Sequence, residues 1–189
     1  MKKLIYLPIC FCLLLFVNVN SQSEIYNESF TGQNNKGAVG PTPTTDLSGV
    51  DWNIDISSAS LSASSDWFKV VNEVFEARDI DGDAIWYSPS INISSYTDVS
   101  FNLTATESGD MESSDIFNTH YRIDGGSWIA ANTNGSLNDD FGSGVTVSQS
   151  SLSGSSLEIR VTMNNGAGSE YHRLDDIVVS GISSSIQSV

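Results

Sequence analysis

An antiparallel β-sandwich, in its jelly-roll form, is the all-β fold this sequence predicts, and three observations predict it. Apolar and polar residues alternate over short runs, and turn-forming residues separate those runs. After the N-terminal segment, no stretch keeps an i, i+3, i+4, i+7 apolar stripe long enough for a helix. Short strands with half-polar faces and no helical crossovers pack as two antiparallel sheets, and a jelly roll brings the first and last strands close together.

The elements follow in chain order. Lys2 and Lys3 precede an apolar run from Leu4 to Val17, then a small residue at Ser21, so residues 1–21 read as a secretory signal peptide. That run falls short of the roughly 20 residues a spanning helix needs, which argues for cleavage and no membrane span. The mature chain is therefore expected to be secreted, extracellular or at the cell surface. Both cysteines, Cys10 and Cys12, lie inside the removed segment, so the mature protein is neither a disulfide scaffold nor a thiol enzyme.

The sandwich is expected over residues 22–182. Tyr26, Glu28 and Phe30 share one period-2 phase. Residues 33–48, with Gly37, Gly40, Pro41 and Pro43, are expected to form a loop outside the core, and Ser57 to Ser65 reads as Ser-rich and irregular. Val99, Phe101 and Leu103 then alternate with Ser100, Asn102 and Thr104. The pattern returns in Phe117, Thr119, Tyr121 and Ile123, and again in Leu157, Ile159, Val161 and Met163 opposite Ser156, Glu158, Arg160 and Thr162. Asp81-Gly82, Asp124-Gly125-Gly126, Asn134-Gly135, Gly142-Ser143-Gly144 and Asn165-Gly166 supply the turns, and read as hairpin signals. Residues 183–189 carry no apolar run and are expected to be a disordered tail.

A formal charge of −15, from 23 acids against 8 Lys and Arg, becomes more negative once Lys2 and Lys3 are removed. Phosphate binding needs clustered basic residues, so no nucleic-acid partner is expected. The acids instead keep a secreted protein soluble or supply ligands for divalent cations.

Two acids stand where apolar residues belong. Glu28 shares its phase with Phe30, and Asp176 shares a phase with Leu174 and Val178. If both point inward, each needs a cation or a proton, and a structural Ca²⁺ stapling the two ends of the chain would supply the cation. The competing reading puts both acids at strand ends facing water. Asp79, Asp81 and Asp83 alternate around Gly82, a spacing that suggests a second metal site. The glycine comes too early for an EF-hand loop and no bidentate glutamate follows, so exposed acids on a hairpin turn compete with that reading.

His120 lies on a polar strand phase with Asn118 and Arg122, where the three could hydrogen-bond a polar ligand. Neither His120 nor His172 has a second histidine at zinc-ligand spacing. Sugar rings stack on Trp and Tyr, and Trp128, beyond a Gly-rich turn, and Trp67, beside the Ser-rich loop, are the candidate platforms. Trp86 and Trp52 read as core. The sequence has no Gly-x-Ser-x-Gly elbow, no His-Glu-x-x-His and no phosphate loop, so no enzyme activity is expected.

Four segments carry a family resemblance: Asn27-Glu28-Ser29-Phe30; Phe75 through Trp86, containing Asp79-Ile80-Asp81-Gly82-Asp83; Tyr121-Arg122-Ile123-Asp124-Gly125-Gly126-Ser127-Trp128; and Leu174-Asp175-Asp176-Ile177-Val178-Val179. The chain resembles the secreted bacterial jelly-roll domains that are similar to carbohydrate-binding modules. The resemblance implies a structural Ca²⁺ held by Glu28 and Asp176, with Asp175 as a further ligand, and a glycan or polysaccharide partner. Sequence alone thus points to a secreted, non-catalytic, Ca²⁺-stabilised binding module. The alternative is an extracellular structural or adhesive protein with a protein partner. Oligomeric state is left open.

Overall fold

A computed structural model describes residues 21–184. Fifteen strands follow one another: β1 (Gln22–Glu28), β2 (Gly37–Val39), β3 (Thr44–Asp46), β4 (Asn53–Ser58), β5 (Trp67–Val71), β6 (Val74–Arg78), β7 (Asp83–Tyr87), β8 (Ile91–Asn92), β9 (Tyr96–Ser108), β10 (Ile116–Ile123), β11 (Ile129–Ala130), β12 (Ser136–Asn138), β13 (Val145–Leu152), β14 (Ser156–Asn164) and β15 (Tyr171–Ser183). Among the described residues no helix forms, and none is long and apolar enough to cross a membrane. The expected signal peptide lies outside the described residues, as do residues 185–189. β15 runs through Ser183, one residue into the expected tail.

The strands form two antiparallel sheets. The first is ordered β13-β9-β15-β6-β5-β2-β3, and the second β11-β10-β14-β7-β4. β1 lies along the far half of β15, pairing Glu28 with Ile177 and Gln22 with Ile182, so the first and last strands are neighbours as a jelly roll requires. Inward phases of both sheets supply the core. From the first come Phe68, Val70, Phe75, Ala77, Phe101, Leu103 and Leu174; from the second come Trp86, Phe117, Ile159, Val161 and Met163. Trp52 and Trp86 are buried as expected. With Phe30 and Phe75 they form an aromatic cluster, edge-to-face except for the tilted Phe30–Phe75 pair, with ring centroids 5.3 to 6.1 Å apart.

Four turn signals do something other than close hairpins: Asn134-Gly135 links β11 to β12, which both pair with β10 and not with each other, and three more link the two sheets. Asp81-Gly82 carries the chain from β6 in the first sheet to β7 in the second. Gly142-Ser143-Gly144 and Asn165-Gly166 likewise lie between strands of different sheets. The buried Asn165 secures two such crossings at once. Its carbonyl accepts from Ile80 N and Asp81 N, and its Nδ2 donates to the carbonyls of Ala77 and Glu170. Asp124-Gly125-Gly126 does close a hairpin, with Gly126 N donating to Ile123 O.

Candidate functional site

On the solvent side of the second sheet, register brings together residues that the sequence leaves apart. His120 pairs with Arg160, Arg160 with Tyr87, and Arg122 with Glu158. Directly opposed residues share a face, so Tyr87, His120, Arg122, Glu158 and Arg160 form one outward patch. The β10–β11 hairpin returns Trp128 to this patch. Its ring lies 6.1 Å from Tyr87, and the guanidinium carbons of Arg122 and Arg160 lie 4.6 and 4.7 Å from its centroid. Arg122 is engaged by a two-pronged ion pair to Glu158, both contacts at 2.8 Å.

Arg160 differs. The described ion pairs join Lys36 to Asp46, Arg122 to Glu158 and Arg173 to Glu76, which leaves Arg160 with no carboxylate partner among the described residues. Its Nε is buried and makes no hydrogen bond. Burial, and then the Arg160 charge, hold the pKa of His120 below its ordinary value, and His120 Nδ1 is also buried without a partner. The Arg160 Nε–H and a ring nitrogen of His120 are thus without hydrogen-bond partners among the described residues, beside a half-exposed indole.

Trp67 lies elsewhere, on the outer face of the first sheet. Its Nε1 donates to Glu76 at 2.9 Å, and Arg78 and Lys69 lie over its ring. Glu76 also accepts from Arg173 Nε at 2.7 Å, and Arg78 donates to Gly168 O and Tyr171 Oη. This face satisfies itself. A shallow pocket of about 340 Å³, lined by Asn34, Asn35, Lys69 and Asn72, opens beside Trp67. Trp128, His120 and Arg122 therefore come together, and Trp67 does not join them.

Glu28 points inward, 7% exposed, but it is hydrogen-bonded. Phe30 N donates to it at 2.6 Å, and Gln33 Nε2 reaches both oxygens at 3.0 and 3.1 Å. Gln33 is itself fixed by Trp52 Nε1 at 2.7 Å. Asp176 corrects the expectation of an inward phase: a bulge between Asp175 and Val178, with Asp176 at φ 50°, turns it to solvent and brings Ile177 in instead. Asp175 lies near Glu28. Burial first, then the charges of Asp176 and Glu28, raise its pKa.

The fit to Ca²⁺ is therefore partial. A polar pocket of about 520 Å³ before Glu28 offers oxygen donors from Asn27, Ser29, Thr31 and Asp51. The Tyr26 hydroxyl, buried within reach of the Asp51 and Glu28 charges, has no hydrogen-bond partner.

Among the described residues, one trio of acids converges with ligand atoms within 4.8 Å of one another, and it is neither expected set. It is Glu112, Asp115 and Glu170; Asp79, Asp81 and Asp83 do not converge so closely. These residues could hold a metal ion. The trio lies where the β9–β10 and β14–β15 connections meet. There Gly109, at φ 126°, is pressed against Glu170: a Cβ at Gly109 would stand 2.8 Å from Ser169 O. Glu112 is exposed, and its pKa is raised by its hydrogen bond with Asp115 and then by the Glu170 charge. His172, fully buried, has its pKa lowered to about 4 by burial, against the opposing charge of Asp115. Sequence patterning carries a signal for this trio, since Asp115 extends the phase of Phe117 and Glu170 extends that of His172 and Leu174.

No family model matches the chain, and no curated protein matches it. Among solved structures it is similar to the K3 cleaved adhesin domain of Lys-gingipain from Porphyromonas gingivalis W83, at 11% identity and a TM-score of 0.44, covering 84% of this chain and 100% of that one. It is also similar to TmCBM61 in complex with β-1,4-galactotriose, at 12% identity and a TM-score of 0.44, covering 71% and 89%. The K2 adhesin domain of Lys-gingipain gives 13% identity and a TM-score of 0.43, covering 82% and 96%.

Proposed function

We propose that the chain is a secreted, non-catalytic module that binds a glycan or cell-surface polysaccharide on the outer face of its second sheet. Trp128 and Tyr87 would offer the ring surface, and Arg160, with His120 beside it, the hydrogen bonds; Arg122 holds the indole from its ion pair with Glu158. The observation that carries this reading is Arg160, a cation of an acidic protein that has no carboxylate partner among the described residues and whose Nε is buried and unbonded. An unpaired buried donor costs about 1–3 kcal/mol, and a ligand oxygen would recover it. Ca²⁺ at the Glu28 pocket, with Asp51 on the pocket lining and Asp175 within reach of the Glu28 charge, belongs to the same proposal.

The test is retention of the purified mature chain in affinity gels of neutral and acidic polysaccharides. Arg160→Met and Trp128→Ala are each expected to abolish retention while moving the thermal midpoint by only a few degrees. Retention unchanged in both would remove the site. A second reading, an adhesive protein with a protein partner, is favoured by Ile129, 53% exposed beside Trp128 on the edge strand β11. It predicts no retention by any glycan and loss of partner binding in Ile129→Asp.

A further inference from the structure

We propose that Arg160 recognises an anionic oxygen group of an acidic glycan, a uronate carboxylate or a sulfate ester, while Trp128 and Tyr87 hold the sugar that carries it. This inference rests on the reading of the second sheet's outer face as a glycan site, and adds the charge class of the ligand.

Register builds the site. His120 pairs with Arg160, Arg160 with Tyr87 and Tyr87 with Asn53, so one outward row crosses β10, β14, β7 and β4. At the usual strand spacing the row runs about 14 Å. Trp128 borders it, with its ring centroid 4.7 Å from the Arg160 guanidinium carbon and 6.1 Å from the ring of Tyr87.

Charge decides between a neutral and an acidic ligand. The patch holds two guanidiniums against one carboxylate, and Arg122 takes both oxygens of Glu158, at 2.8 Å each. His120 adds no charge at neutral pH, because burial and then the Arg160 charge hold its pKa below the ordinary value. Asp55 and Asp83, further along β4 and β7, are engaged by other groups: Ser57 N donates to Asp55 at 2.9 Å and Asn164 Nδ2 to Asp83 at 3.1 Å. Arg160 is thus a cation with no ion-pair partner among the described residues. The formal charge of −15 does not cancel this local excess, because exposed charges more than about 8 Å apart are largely screened at physiological salt.

Hydrogen-bonding chemistry selects the same class. The Arg160 Nε–H is buried and unbonded. Asn53 Oδ1 accepts from Ile54 N at 2.8 Å, and its Nδ2 donates to nothing among the described residues. The row therefore offers donors beside oxygens that are already taken. A carboxylate or sulfate accepts at every oxygen and fits such a set, whereas a sugar hydroxyl brings a proton that needs an acceptor of its own. Charge-assisted bonds from a guanidinium to an oxyanion are also roughly twice as strong as neutral ones, and pair in a fork.

Affinity electrophoresis of the purified mature chain, in pairs of polymers that differ only in charge, tests the proposal: polygalacturonate against its methyl ester, and a sulfated galactan against the same galactan desulfated. Wild type is expected to bind the charged member of at least one pair about tenfold more tightly than the neutral member; which pair does so separates carboxylate from sulfate. Arg160→Gln keeps donors and loses the charge, so it should erase that preference. Glu158→Gln frees the Arg122 guanidinium, so it should strengthen binding of the charged polymer and leave the neutral one unchanged. Should Arg160→Gln fail to fold, Glu158→Gln decides. Equal binding of charged and neutral members, lost in Trp128→Ala, overturns the inference and keeps the glycan site. Binding of no polymer overturns both. Charged-polymer binding that neither Arg160→Gln nor Glu158→Gln alters, or that polyglutamate matches, also overturns the inference, since it would mark another surface or a charge site without sugar recognition.

Discussion

At Glu28, three hydrogen bonds reach a carboxylate that points inward. Phe30 N and Gln33 Nε2 reach its carboxylate, and Trp52 Nε1 fixes Gln33, so a relay of three side chains lets an acid sit beside the aromatic core. Gln33→Ala would leave Glu28 with Phe30 N alone and Trp52 Nε1 with no acceptor. The expected cost is about 1–3 kcal/mol, read from urea unfolding. A variant as stable in EDTA as wild type would show that the relay is incidental. Sequence patterning read the inward direction of Glu28 correctly but not its partners, because Gln33 lies in a loop whose course follows from no periodicity. The same limit hid Arg160. Its outward phase opposite Ile159 and Val161 is legible, yet its neighbours Tyr87 and His120 depend on the register of three strands.

At the scale of the element, alternation located β9, β10 and β14 within a few residues, because a half-buried strand has to separate its two faces. Turn residues located the reversals. They did not say whether the next strand pairs alongside or crosses to the other sheet, since Asp-Gly and Asn-Gly specify local φ and not the partner. The bulge in β15 is the costliest miss. One extra residue at Asp176 inverts the phase of everything after it, so Ile177 and Val179 fill the core where the uninterrupted pattern predicts Val178. Asp176, at φ 50°, is held in the left-handed region. Asp176→Gly is expected to leave the thermal midpoint essentially unchanged, whereas Asp176→Val should cost about 1–2 kcal/mol. Equal losses in the two variants, abolished by EDTA, would instead make the carboxylate a metal ligand.

Across the whole molecule, the two outer faces use the same residue types to different ends. On the first sheet, Glu76 is shared by Trp67 Nε1 and Arg173, while Arg78 bonds Gly168 O and Tyr171 Oη and lies 4.9 Å from the Trp67 ring centroid. On the second, Trp128 is stacked by two guanidiniums, of which only Arg122 has an anionic partner. Removing Trp67 takes a hydrogen bond from a buried glutamate and a stacking surface from Arg78, so Trp67→Ala is expected to cost about 2 kcal/mol. It should leave polysaccharide retention unchanged. Trp128→Ala removes a half-exposed ring whose contacts are cation–π, worth about 0.5–1 kcal/mol each at exposed sites, so it should melt nearly as wild type does and lose retention. Thermal melts and affinity gels run on both variants measure the two properties separately. Retention lost in Trp67→Ala and kept in Trp128→Ala would move the ligand to the pocket beside Trp67. A large fall in the melting point of Trp128→Ala, with no glycan bound by wild type, would make the second face as purely structural as the first.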